Sequence, residues 1–417
     1  MKKIFTALLA LTLSALACAN PLGTPAPQEP ANVETVVAAT LAALTASSSG
    51  ATPADGNPAP LTPPAPVDST PGILPRSMYY LANDAAQIQQ VFRLETDGQT
   101  VTQLTYEPAS VQDYDVSQVD GGIVFLSNNQ LFLAEADGSN RRMIFDGGVV
   151  DENNSFLTRV ISPVFSPNGQ TVAFGSKGLN FYSVASGQSN RVLEDIIRDA
   201  GGGFLFPEEM YWPEMYSADG SKLIITLGYY EGASSAIYYP NGGALVRLNS
   251  GDRSIICCGD YSLNGDGSAL YSASPSFGMY PAGLWRLDMN NGNVTTLLLG
   301  DYDTNPANAA DNPFLAPDGQ LYYFFASIPD PGNFNGRAAL QLVRSAADGV
   351  TGRAVLRPET FAMMNEALWA PDASFVIVAN APNDQTYTGG AAQLFYTDGQ
   401  KAMIPLLPYV LSMKWGP

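Results

Sequence analysis

The chain has 417 residues, 39 of them acidic and 20 basic, for a formal net charge of −19, and it contains no histidine. Acidity of this size argues against nucleic acid or an anionic membrane face as a partner, while leaving room for a cation. Without histidine, the chain supplies no Ser-His-Asp or Cys-His nucleophile, no His-ligated zinc or iron and no His general base.

The N-terminus reads MKKIFTALLALTLSALACAN. Lys2 and Lys3 precede a short apolar run, Ile4 to Leu16, too short to span a bilayer comfortably and followed by small residues, as in an export signal. Ala15-Leu16-Ala17-Cys18 resembles the lipobox of bacterial lipoproteins, with Ala15 where Leu is usual. The resemblance implies cleavage before Cys18 and acylation of its thiol and new amino group, palmitate among the chains, which would hold the protein at a membrane. It also implies a cell-envelope location outside the cytoplasm. Residues 1–17 are then a signal peptide, and 18–76 a lipidated cysteine with a linker.

Residues 19–76 have no Lys and no aromatic side chain but many Pro, Ala and Thr, as in NPLGTPAPQEP and PADGNPAPLTPPAPVDSTPG. Such a segment buries little and is expected to be a disordered tether. Within it, ANVETVVAATLAALTA places Val33, Val37, Leu41 and Leu44 near one face of a short, marginal helix.

From residue 77 onward the chain is repetitive. DVSQVDGGIVFLS, PVFSPNGQTVAFGS, PEMYSADGSKLIITL, DYSLNGDGSALYSAS, NPFLAPDGQLYYFFAS and ALWAPDASFVIVAN share one outline: an aromatic or apolar residue, a small polar turn, then alternating apolar residues. That is a hairpin signal recurring at a period of an array or propeller. A second turn series interleaves: Asp97-Gly98, Asp137-Gly138, Ser186-Gly187, Ser250-Gly251, Asn291-Gly292, Asp348-Gly349 and Asp398-Gly399. Two hairpins per period make four strands, the unit of a β-propeller. The second series has one more member than the first, because the unit starting at SMYYLA lacks an opening strand. LSMKWGP at the C-terminus supplies it, with Trp415 standing where Trp369 and Phe165 stand in their units. The expected fold is therefore all-β: a seven-bladed propeller over 77–417 whose first blade is completed by the C-terminal strand. PVFSPNGQTVAF, FLAPDGQLYYF and ALWAPD resemble the Pro-x-Phe-Ser-Pro-Asp-Gly repeat of TolB-like (WD40-like) propellers. The resemblance covers 77–417 and implies the fold. It implies little about activity, since that family mixes scaffolds, binding proteins and domains of larger enzymes.

Adjacent Cys257 and Cys258 can form only a vicinal disulfide or remain reduced core residues. Asp and Asn cluster in LNGDGS, LDMNNGN and DYDTNPANAADN. The first two fall at hairpin turns, where backbone geometry wants them. The third, with Asp301, Asp303 and Asp311, is the calcium candidate. Long connections at 194–215, 228–243, 274–283, 327–339 and 380–392 all belong to one face, and blades two and three are expected to keep that face low. From these loops Trp212, Tyr230, Tyr280 and Phe334 are the candidate anchors for a protein, peptide or glycan. The primary reading is a non-catalytic binding or scaffolding module. The alternative is a calcium- or carboxylate-dependent enzyme, a lactonase-like hydrolase or quinone-dependent dehydrogenase. It needs Asp113, Asp115, Asp260, Asp311 and Glu366 to converge at the channel mouth.

Overall fold

The computed structural model describes residues 72–248, 260–276, 282–301, 304–334 and 336–417. The signal and tether, with Cys18, lie outside the described residues, as do Cys257, Cys258, Tyr280 and Asp303.

The strand Ile123–Ser127 (IVFLS) is buried at every position. Side chains alternate across a strand, so a strand without polar alternation must be covered on both faces. Ile123 and Phe125 pack with Tyr79, Leu81 and Val91, whereas Val124 and Leu126 pack with Phe165, Val172 and Phe174. Leu223–Tyr229 divides the same way: Leu223, Ile225 and Leu227 face Tyr211 and Leu179, while Ile224 faces Leu270 and Trp285. In Phe375–Asn380, Val376 and Val378 meet Phe324 and Phe361, and Ile377 and Ala379 meet Met78 and Tyr80. Each large apolar side chain buried in this way contributes about 1.5–3 kcal/mol.

The sheets are antiparallel and follow chain order. One holds Val111–Val116, Ile123–Ser127, Gln130–Ala134 and Arg142–Asp146; the next holds Ile161–Phe165, Thr171–Gly175, Gly178–Ser183 and Gln188–Glu194. Leu205–Tyr216, Leu223–Tyr229, Gly232–Tyr239 and Ala244–Arg247 follow, with Ile196–Asp199 added beside the start of the first. Then come Asp260–Leu263, Ala269–Ser274, Ala282–Asp288 and Val294–Gly300, and after them Ala307–Leu315, Gln320–Ile328, Gln341–Ala346 and Ala354–Thr360. The last sheet is seven-stranded, running from Met364–Trp369 through Phe375–Asn380, Gly390–Tyr396 and Ile404–Trp415 to Met78–Asn83, Gln89–Leu94 and Val101–Gln103. Ile404–Trp415 serves it twice. Its first half pairs Ile404 with Leu394 and Val410 with Gly390. Its second half pairs Leu411 with Leu81, Lys414 with Tyr79 and Trp415 with Met78. Four-stranded sheets packed face to face in succession are a β-propeller.

The Asp-Gly turns work through the backbone. Each glycine sits at positive φ, for example 82° at Gly138, where an added Cβ would lie 2.2 Å from the Leu104 carbonyl oxygen. Each preceding Asp accepts the N–H two residues on, as Asp137 does from Ser139 (2.9 Å) and Asp266 from Ser268 (2.9 Å). These turns close the first-to-second and third-to-fourth strand connections, so antiparallel pairing puts them at one end of the sheets. The second-to-third strand turns and the sheet-to-sheet connections share the other end.

That other end departs from expectation in three places. Residues 194–215, expected as an irregular loop, are largely β: Ile196–Asp199 and the start of Leu205–Tyr216 pair as a hairpin turning at Gly201, Gly202 and Gly203. Residues 228–243 are no long loop either, because Tyr229 pairs with Gly232 across a tight turn. The connection 147–160, by contrast, is long, with one 3-10 turn at Ser155–Leu157, and it raises the sector expected to be low. Among the described residues no helix is long and apolar enough to cross a membrane.

Candidate functional site

Where successive first strands meet, the carboxylates are committed to the chain. Asp115 accepts the Phe165 N–H from the following sheet (2.7 Å) and pairs with the Lys414 ammonium (2.9 Å). Glu366 accepts the Ser412 N–H (2.8 Å) and the Met413 N–H. Lys414 also donates to the Tyr114 carbonyl (2.7 Å), and the Tyr114 hydroxyl donates to the Ser412 carbonyl (2.6 Å). Indole N–H groups bridge the same strands: Trp415 donates to the Trp369 carbonyl (2.7 Å), and Trp369 to that of Asn312 (2.9 Å). The reason is local. Ser162, Asn312 and Ser412 take positive φ at first-strand register shifts, which turns backbone groups away from their own ladders. Side chains of neighbouring sheets then satisfy them. Burial pushes the carboxyls of Asp113 and Glu214 up, while the nearby Lys414 ammonium draws each down. Lys414 itself is held above its ordinary value: burial opposes its charge, but Asp115, Asp113 and Glu366 outweigh that.

Beside this cluster an open cleft of about 1050 Å³ lies between the sheets that begin at Val111 and Ile161. Asp113, Asn129, Asp146, Glu152, Arg159, Ser162 and Ser412 are among its lining residues. Its wall is the connection 147–160, held by Asn129, whose amide donates to the Gly148 and Thr158 carbonyls (both 3.0 Å) and whose oxygen accepts the Val160 N–H (2.8 Å). A smaller pocket of about 320 Å³ adjoins it, sharing Arg159 and Ile161 and adding Phe156, Lys177, Asp195, Tyr211 and Trp212. Burial lifts the Asp195 carboxyl to about 6, against the Tyr211 N–H that it accepts (3.1 Å).

Trp212 is half-buried and occupies space that two glycines vacate. A Cβ on Gly228 would fall 2.6 Å from Trp212 Cη2, and one on Gly175 would fall 3.3 Å from its Cδ1. Tyr230 stands apart from it, 48% exposed, stacked on Phe206 (5.0 Å between centroids) and edge-on to Phe204 (5.6 Å). Phe334 is partly buried against the cluster of Phe324, Phe361 and Trp369, so it packs inward. The structure thus distributes the candidate anchors rather than joining them, and Tyr280 is outside the described residues. Of the calcium candidates, Asp311 is buried and accepts the Asn312 N–H (2.9 Å), and Asp301 exchanges backbone and hydroxyl bonds with Thr304. Among the described residues no three Asp, Glu or Cys side chains are grouped to hold a metal ion. Arg159 and Lys177 escaped the sequence reading. The only signal for Arg159 was the extra length between Phe145 and Val164.

No protein-family model matches the sequence. No curated protein matches it either. Solved structures do. An oligogalacturonate lyase in complex with manganese aligns at 11% identity over 79% of this chain and 84% of that one, with a TM-score of 0.50. Prolyl oligopeptidase B from Galerina marginata aligns at 11% identity over 81% of this chain and 50% of its own, with a TM-score of 0.51. TolB from Acinetobacter baumannii aligns at 14% identity over 81% of this chain and 82% of that one, with a TM-score of 0.40. At such identities the likeness concerns fold alone.

Proposed function

We propose that this chain is an exported lipoprotein, anchored in the cell envelope through Cys18. Its TolB-like propeller closes as a ring of seven blades and binds a ligand non-catalytically in the cleft walled by 147–160. Closure is supported by Ile404–Trp415, which is shared between the last and first units, and by buried clusters that join each unit to the next, the last to the first included. The observation that carries the binding reading is a division of labour. The first-strand carboxylates Asp115 and Glu366 are spent on backbone N–H groups and Lys414, whereas the adjoining cleft is open and lined by amides, hydroxyls and charges. Releasing either of those carboxylates to act as a base would unseat a strand. The anchor keeps the cleft at the surface where an envelope ligand is met.

The test has two arms. Full-length protein expressed in a bacterium is labelled with a clickable palmitate analogue; wild type incorporates it and Cys18→Ser does not. The purified full chain is then used to capture glycans, peptides and proteins from its own envelope and medium, with Asn129→Ala as the comparison. Losing the Asn129 amide frees 147–160, so capture through the cleft weakens. Capture unchanged by Asn129→Ala sinks the cleft assignment.

A further inference from the structure

In a chain of net charge −19 almost every cation is engaged. Arg93, Arg141, Arg191, Arg198, Arg247, Arg357, Lys401 and Lys414 sit in ion pairs. Arg76, Arg142, Lys222 and Arg337 donate side-chain hydrogen bonds, Arg353 lies over Phe325, and Arg286 and Arg344 reach Tyr271 and Tyr322. Among the described residues, Arg159 and Lys177 alone have no ion pair, side-chain hydrogen bond or ring contact. Both line the pocket of about 320 Å³ at Trp212.

The two arrive from different elements. Arg159 ends the 147–160 connection, and Lys177 occupies the tight turn between Thr171–Gly175 and Gly178–Ser183 at φ 53°. Two uncommitted cations lining one pocket are available to an anion, and a carboxylate suits them better than a phosphate. Asp195 in the same pocket, and Asp113, Asp146 and Glu152 in the adjoining cleft, would repel a dianion. The remaining chemistry selects the rest of the ligand. Trp212 offers an aromatic ring, to which the apolar face of a sugar is complementary. Asp195 spends Oδ1 on the Tyr211 N–H, leaving Oδ2 as an acceptor for a hydroxyl. The larger cleft continues with Asn128, Asn129, Gln130, Ser162 and Ser412, partners for hydroxyls, set beside Leu126, Val149, Val150, Val160 and Ile161. Taking the cleft as the binding site, on which this assignment rests, we infer that it binds an acidic glycan. Arg159 and Lys177 hold the carboxylate of a hexuronic-acid residue, Trp212 takes its ring, and further, neutral sugar residues lie along the 113–162 cleft.

The test is calorimetric titration of the full chain with tetrasaccharides in which one terminal hexuronic-acid residue, of gluco, galacto or manno configuration, is joined to three neutral hexoses, each against its carboxyl-reduced counterpart. A peptide bearing Glu and aromatic residues serves as the protein-ligand arm. At least one acidic tetrasaccharide binds, and its reduced form binds about tenfold more weakly or worse, the scale of charge-assisted hydrogen bonds. Arg159→Gln with Lys177→Gln abolishes that preference, and both positions are exposed, so the fold is kept. Trp212→Ala weakens acidic and reduced sugars alike. Equal binding of acidic and reduced sugars, lost in Trp212→Ala, overturns the anion site while leaving the cleft as the binding site. Peptide binding that depends on Arg159 and Lys177, with no sugar bound, overturns the glycan class. A ligand caught by the full chain whose binding ignores Asn129, Trp212, Arg159 and Lys177 overturns the cleft reading itself.

Discussion

Removing the cation of Lys414 isolates what the first-strand cluster contributes. Lys414→Met keeps the stem and deletes the ammonium, leaving Asp115 without its ion pair and the Tyr114 carbonyl without its donor. Breaking a fully buried pair costs about 3–5 kcal/mol, and an exposed one at most about 1. Side-chain exposures of 34% for Lys414 and 16% for Asp115 put this pair between those limits. The expected loss is about 2–3 kcal/mol at pH 7.5, or roughly 3–4 °C in Tm for a domain of this size. The pH dependence gives the sharper test. Asp113 and Glu214 already titrate above the ordinary carboxylate range, because burial disfavours their charge, and loss of the ammonium raises them further. An acid whose folded-state pKa is raised gains stability as pH falls through that value. The variant's deficit should therefore shrink from pH 7.5 to pH 5, when wild type and variant are compared by thermal and chemical denaturation at each pH. In wild type the Lys414 contribution persists until pH passes above its raised value. A variant that melts with wild type at pH 7.5, or a deficit that grows on acidification, refutes the reasoning.

Deleting 409–417 should lower stability far beyond the loss of nine exposed residues, because it bares the Met78–Asn83 edge; calorimetry showing a shift of only a few degrees would contradict shared-strand closure. Gly228→Ala should displace the Trp212 indole, read as a shift in tryptophan emission together with weaker binding in the cleft, while Gly265→Ala, where a Cβ meets nothing, leaves the emission unchanged. The Asp219 carboxyl is held down to about 2 by the Ser217 hydroxyl and the Ser221 N–H. Its contribution is present above the unfolded value and lost as pH falls from about 4 to 2. Asp219→Asn, the arrangement Asn168 already adopts, should remove that part of the acid sensitivity and little at pH 7. Cys18→Ser should move the protein from the membrane to the soluble fraction; retention through detergent-free washes would end the lipobox reading.

Much of the fold was legible because the determinants are local. Asp-Gly turns answer to φ and to a hydrogen bond two residues away, so their spacing laid out the hairpins, and Ala373 at φ 58° shows the geometry surviving where the glycine is missing. IVFLS, expected as alternating apolar residues of a hairpin, is instead buried on both faces. The missing opening strand and LSMKWGP could be matched by counting turns. Functional residues were harder to see. Asp115 and Glu366 looked like convergent carboxylates, but their partners are N–H groups about fifty residues away, freed by positive φ at Ser162 and Ser412 that composition does not reveal. The glycine triplet at 201–203 read as loop, though the flanking IIRD and LFPEE pair as strands. Arg159 and Lys177 stand out only after every other cation's partner is known, and those partners are set by tertiary structure.

Native-state hydrogen exchange on Leu411–Trp415 in the full chain tests the closing strand most directly. The last residues of a chain ordinarily fray and exchange with little protection. Here the strand is paired to Met78–Asn83 and tied by Glu366, Tyr114 and Lys414, so its amides should be protected to the same degree as those of Ile123–Ser127. Exchange of 411–415 at the rate of a free terminus, with Ile123–Ser127 still protected, would contradict ring closure by this strand.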